Sequence, residues 1–181
     1  SQLDAVESGF FSGLNFATDE SAVVGASPDT QPTSMRIVGS YVYVGGAVRV
    51  DSSHPWMCTV AAVSKTTGAL NTSFGSVSGG TNNKGLTIFS PDTGYACLTN
   101  FLVTDPGSNL IGGGAAYTSQ GNYKQFTFRL NATDGTLITD YGGASAGMMM
   151  FSNNSSDSIA VSAAILGDNT SLVLVGREGD T

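Results

Sequence analysis

The clearest alternation in the chain is Gln125-Phe126-Thr127-Phe128-Arg129-Leu130, which puts Phe126, Phe128 and Leu130 on one face of an extended strand. Other apolar runs are continuous. Tyr41 to Val44 and Leu172 to Val175 leave no polar face, so strands built from them need cover on both sides. No stretch carries a convincing 3.6-residue period. The pattern predicts an all-β protein.

The runs recur in three copies, spaced by about 60 to 70 residues. Each copy opens with an apolar run ending in Phe: Leu14-Asn15-Phe16, Leu86-Thr87-Ile88-Phe89 and Met148-Met149-Met150-Phe151. A polar turn and a short strand follow, at Ser21 to Gly25, Tyr95 to Thr99 and Ser158 to Ala163. A second strand then closes in glycine, from Tyr41 to Gly46, Asn109 to Gly114 and Ser171 to Gly176. The first copy continues with a strand from Cys58 to Val63, a turn from Ser64 to Gly68 and a fourth strand from Ala69 to Gly75. The second continues with Gln125 to Leu130, the turn Asn131 to Gly135 and a fourth strand from Thr136 to Gly142. Asp134-Gly135 suits a tight turn because glycine accepts positive φ. The expected organisation is one β-repeat domain, 1–181, with units 10–80, 81–146 and an incomplete 147–181.

Stacking antiparallel four-stranded sheets encloses such apolar inner strands, and this is the plan of a β-propeller. The chain supplies about two and a half blades; a β-sandwich is the alternative. The segments Ala62 to Gly75 and Arg129 to Gly142 resemble the delta-60 class of β-propeller repeats. In that class a glycine-ended strand, a variable loop, a second strand and a Thr/Asp-Gly turn lead to a Ser-Phe-Gly-like close. The first unit matches through Val44-Gly45-Gly46 and Asn71 to Gly75, while the second has Tyr141 in place of Phe. The motifs are short and are shared with quinoprotein-like propellers. The resemblance implies a fold and carries no catalytic residue. Because closed propellers have four to eight blades, it also implies missing partners: the rest of a longer chain, or further copies. Unpaired strand edges invite such association.

Composition narrows the partners. Seven basic residues against 14 acidic ones give a net charge of -7, and the basic residues are scattered. Nucleic acid and anionic membrane surfaces need concentrated positive charge, so both are disfavoured. No apolar stretch approaches the roughly 20 residues of a membrane-spanning helix. The chain begins at Ser1 without a charged-then-apolar leader, as expected of a processed secreted protein or a piece of a longer one.

Asn71, Asn131, Asn153, Asn154 and Asn169 head Asn-x-Ser/Thr sequons, and with scarce lysine they point to secretion and glycosylation. Asn71, beside a strand, is the poorer acceptor. In that setting Cys58 and Cys97 are a candidate disulfide, whose loop of 39 residues corresponds to a stabilisation of about 3 to 4 kcal/mol. Two buried thiols are the alternative.

Little else points to chemistry. His54 is the only histidine, which excludes a His-based metal cluster and reads as an exposed loop residue. Trp56 in the same loop suits a sugar ring, a partner surface or packing against the sheet, and Tyr117 and Tyr123 are further candidate glycan contacts. The acidic turns Ser90 to Gly94, Thr133 to Gly135 and Gly179-Asp180 lack the oxygen-rich run of a calcium loop. Gly112 to Gly114 and Gly142-Gly143 read as strand ends or bulges rather than a phosphate cradle, and Met148 to Met150 as core. No catalytic, cofactor-binding or metal residue is expected. The expected function is a non-catalytic extracellular structural or interaction module, acting in assembly, adhesion or surface display. Its expected partner is protein, either further copies or further blades, with glycan as a possible ligand. A fragment of a quinone-dependent or hydrolytic propeller enzyme, and a glycan-binding module, are the alternatives.

Overall fold

In a computed structural model the described residues are 29–49, 52–77, 80–81, 85–92, 94–142, 147–151, 156–167 and 171–179. The expected strand Ser21 to Gly25, the run Leu14 to Phe16 and the sequons at Asn153, Asn154 and Asn169 lie outside them. Among the described residues all regular structure is β, in three sheets.

The first sheet contains β1 (Asp29–Val38), β2 (Tyr41–Arg49), β3 (Met57–Ser64), β4 (Ser76–Val77), β5 (Gly80–Thr81) and β6 (Leu86–Phe89), ordered β1-β2-β3-β6-β4-β5. The second contains β7 (Cys97–Thr104), β8 (Leu110–Tyr117), β9 (Tyr123–Leu130) and β10 (Met148–Met150) in sequential order. β11 (Asp157–Ile165) and β12 (Leu172–Gly179) pair as the third. Apart from one parallel pair between β4 and β6, all neighbours are antiparallel.

The sheets run out of phase with the sequence units. Ala69 to Gly75 and Thr136 to Gly142, expected as fourth strands, each make one bridge, Val63 with Leu70 and Leu130 with Leu137, and then turn away. The turning has the same cause in both copies: the Phe74 N–H donates back to Asn71 O at 2.8 Å, and the Tyr141 N–H to Ile138 O at 3.1 Å. The outer place beside β3 goes instead to Leu86–Phe89, all four residues buried, and the place beside β9 to Met148–Met150. Burial decides this, because Ala69 to Ser73 offers the sheet little apolar surface beyond Leu70. The first strand of the first sheet is likewise the polar run Asp29–Val38, which the apolar pattern does not signal.

The main core lies between the first two sheets. Tyr43, Val60, Ala62, Phe74 and Phe89 meet Leu102, Leu110, Phe126, Phe128 and Leu130, with the Phe89 and Phe128 rings edge to face at 4.7 Å. Phe126, Phe128 and Leu130 share this face, as their alternation requires. On the far side of the first sheet Val42, Val44, Leu86 and Ile88 are also buried, so β2 has cover on both sides. β12 does not: Val173 and Val175 are 43% and 60% exposed.

One irregularity occurs in all three sheets. Register slips by one residue at Thr33, Asn100 and Val161, in pairings that place Pro32 opposite Gly46, Thr99 opposite Gly114 and Ala160 opposite Gly176. A Cβ on these glycines would lie 2.2, 2.0 and 2.4 Å from the carbonyl oxygens of Gln31, Leu98 and Ile159. The repeated glycine expected to close the second strand thus lies inside it, and is required there for space at a bulge. The bulged side chains then link the sheets. Thr33 Oγ1 donates to Thr99 O, and Asn100 Nδ2 donates to Ala160 O at 2.8 Å. Each reaches the carbonyl just before the next sheet's bulge.

Candidate binding groove

The first strands β1, β7 and β11 pack in succession, and a groove of about 640 Å³ opens along them. Its floor takes the same two positions from each strand: Gln31 and Thr33, Leu98 and Asn100, Ile159 and Val161. In each pair the second residue is the bulged one. The floor therefore grades from polar at the first sheet to apolar at the third. Trp56, Tyr123 and Arg177 contribute walls.

Trp56 is held from two sides. The Arg49 guanidinium carbon lies 4.7 Å from its ring centroid, and its carbonyl accepts the Cys97 N–H at 2.8 Å. Cys97 is joined to Cys58 with Cα atoms 5.3 Å apart, tying the strand that follows the Trp56 loop to the second sheet. Tyr123 is half exposed, and the Tyr117 ring stands edge-on to it at 5.1 Å. Tyr117 does not line the groove; it packs between Tyr123 and Tyr95. The Tyr123 N–H donates to Asp157 Oδ1 at 2.7 Å, joining the second sheet to the third. Of the three aromatic candidates, two reach the groove and the third supports one of them.

The other candidates lie elsewhere. His54 is exposed, its Nδ1 3.3 Å from Ser53 Oγ. Asn71 and Asn131 are half-buried, and their side-chain oxygens accept the N–H groups of Ser73 and Thr133 in local turns. Asp134 and Asp92 likewise accept from the backbone N–H groups of Thr136 and Ser119. Among the described residues no group of three His, Cys, Asp or Glu side chains is placed to hold a metal. No helix among them is long and apolar enough to cross a membrane.

Besides the Tyr141 phenol, which burial raises, two groups have displaced titration. Burial raises the Asp105 carboxyl, but hydrogen bonds from Asn109 and Arg129 and the Arg129 charge outweigh it and leave its pKa below the ordinary 3.8. Burial, with a smaller contribution from Tyr41, raises the Tyr43 phenol; its hydroxyl donates to Ala132 O at 2.6 Å. Both serve the framework, Asp105 within the second sheet and Tyr43 across the first interface.

Gln31, Thr33, Asn100 and Arg177 are groove residues that the motif search does not find. A signal exists only for Asn100 and Thr33, as the bulged residues that follow the partner of the repeated glycine within each second strand. Locating them requires the hairpin register, which glycine alone does not set. No protein-family model matches this chain, and neither curated proteins nor solved structures give a match.

Proposed function

We propose that the chain is a non-catalytic, extracellular β-propeller-type module whose function is assembly, its third sheet seating the first sheet of a second copy. The observation that carries this is a change of burial at one repeated position. Three residues before the bulge glycine stand Tyr43, Ile111 and Val173, which are 2%, 6% and 43% exposed. In the first two sheets that position turns toward the sheet that follows. In the third it meets solvent, together with Val175.

The opposite end offers a matching surface. Met35, two residues past its bulge, occupies the position of Leu102 in the second sheet. Leu102 is 6% exposed and packs where a side chain on Gly45 would point, whereas Met35 and Ile37 are each 62% exposed. Docking Met35 of one copy against Val173 and Val175 of another repeats the existing stacking. Such a head-to-tail contact is heterologous and builds a ring or an open fibre according to its rotation. The extracellular setting is part of the proposal; a Cys58–Cys97 disulfide is of the kind that persists in oxidising compartments.

Mass photometry tests the reading. The wild-type chain is expected to form species larger than the monomer, and Val175→Asp and Met35→Asp each to remain monomeric. An equimolar mixture of the two variants should give dimers and nothing larger, since each retains one intact end. A wild-type chain that stays monomeric at high concentration defeats assembly between copies. Native material whose intact mass contains further repeats would replace the second copy by blades of the same chain.

A further inference from the structure

We infer that the groove along the first strands binds a carboxylate-bearing sugar, an inference that goes beyond assembly because the groove is formed within one copy. Its volume, about 640 Å³, lies in the range of small-ligand sites, and its walls carry two kinds of recognition group. Trp56 and Tyr123 supply ring surfaces, and the cation on one side of Trp56 together with the Tyr117 edge against Tyr123 fixes where those rings stand. Aromatic rings held in place bind the apolar face of a pyranose at little cost in side-chain freedom. Gln31, Thr33 and Asn100 bring amide and hydroxyl groups suited to sugar hydroxyls.

Charge selects the acidic member of that class. The chain has 14 acidic residues against seven basic ones, yet among the described residues no carboxylate lines the groove and the one charged lining residue is Arg177. Among the described residues the Arg177 side chain has no hydrogen-bond or ion-pair partner; only its backbone is paired, opposite Ile159. Its neighbour Glu178 points to the other face of β12 by strand alternation, and the Asp157 carboxylate receives the Tyr123 N–H. A guanidinium is a planar, bidentate partner for a carboxylate, and beside ring surfaces it fits a uronic acid better than a neutral hexose. The same chemistry occurs in a free uronic acid and in an acidic polysaccharide.

Trp56 is the only tryptophan in the chain, so its emission reports occupancy without ambiguity. Titration with galacturonate, its trimer, galactose and a neutral galactose trimer is expected to give binding at least about tenfold tighter for the acidic member of each pair, a difference of about 1.4 kcal/mol. Arg177→Gln should abolish that preference while leaving weak neutral binding. Calorimetry on Trp56→Ala should show both classes weakened alike, with circular dichroism confirming the fold. Tighter binding of the acidic trimer than of galacturonate identifies a polysaccharide as the source; equal binding identifies the free sugar. Absence of any binding at millimolar ligand, equal affinity for acidic and neutral sugars, or an acidic preference surviving in Arg177→Gln would overturn the inference. The Arg177→Gln arm stands even if Trp56→Ala fails to fold, because Arg177 is exposed on β12.

Discussion

β2 and β12 are counterparts in sequence and in geometry, and differ in surroundings. Both follow a bulged first strand, both open on a continuously apolar run of four residues, and both carry in mid-strand a glycine that no larger residue could replace without moving a carbonyl. β2 is buried on both faces, while β12 leaves Val173 and Val175 in solvent. The apolar run therefore encodes a strand made to be covered, and does not itself provide the cover. Local pairing and bulge form in the third sheet without it, so the hairpin geometry is set by the glycine and the register rather than by inter-sheet packing.

The sharpest way to break this contrast is truncation at the shared position. Tyr43→Ala should cost about 3 to 5 kcal/mol, since a ring at 2% exposure is lost from the core, whereas Val173→Ala should change stability by less than about 0.5 kcal/mol in the monomer. Urea unfolding of the two variants checks this; equal costs would mean that β12 is covered after all. A somewhat smaller effect is expected at the bulge. Gly114→Ala, whose Cβ would lie 2.0 Å from Leu98 O between two packed sheets, should cost about 2 to 3 kcal/mol of global stability. Gly176→Ala should instead speed amide exchange in β11 and β12 alone, because that hairpin has room to move.

The smallest effect concerns pH. With its folded pKa lowered, Asp105 contributes stability that is fully present above its ordinary value of 3.8 and is lost as pH falls through the lower folded value. Asp105→Asn should therefore flatten the acid limb of the stability curve below that value and leave the third sheet's local exchange unchanged. Thermal unfolding across acidic pH measures the first and amide exchange the second.

The all-β class was legible because Phe126 to Leu130 and Tyr41 to Val44 carry unambiguous strand patterns. The turns Ser64 to Gly68 and Asn131 to Gly135 were legible too, each closed by a glycine with φ near 75° (73° and 76°). The outer strands were misplaced because Ala69 to Gly75 sits where a hairpin partner is expected, and its sequence does not show that Leu86–Phe89 outcompetes it. β1 was hidden because its first half, Asp29 to Ser34, is polar, and its apolar residues Met35, Ile37 and Val38 come only at its end. Trp56 and Tyr123 could be singled out as large aromatics near turns. Gln31, Asn100 and Arg177 are ordinary polar residues until three separate hairpins align them.

The offset between sequence units and sheets has a consequence for how this chain can be made or divided. Phe89 belongs to the first sheet and Cys97 to the second, so the natural cut lies between them rather than at a unit boundary near residue 80. A fragment ending at that boundary would carry a three-stranded sheet with the outer edge of β3 bare. During synthesis, too, each of the first two sheets must wait for the opening residues of the next unit before its outer strand can pair. A single repeat of this kind is not a folding unit, and lengthening the array by duplication must always import its last strand from the neighbour downstream.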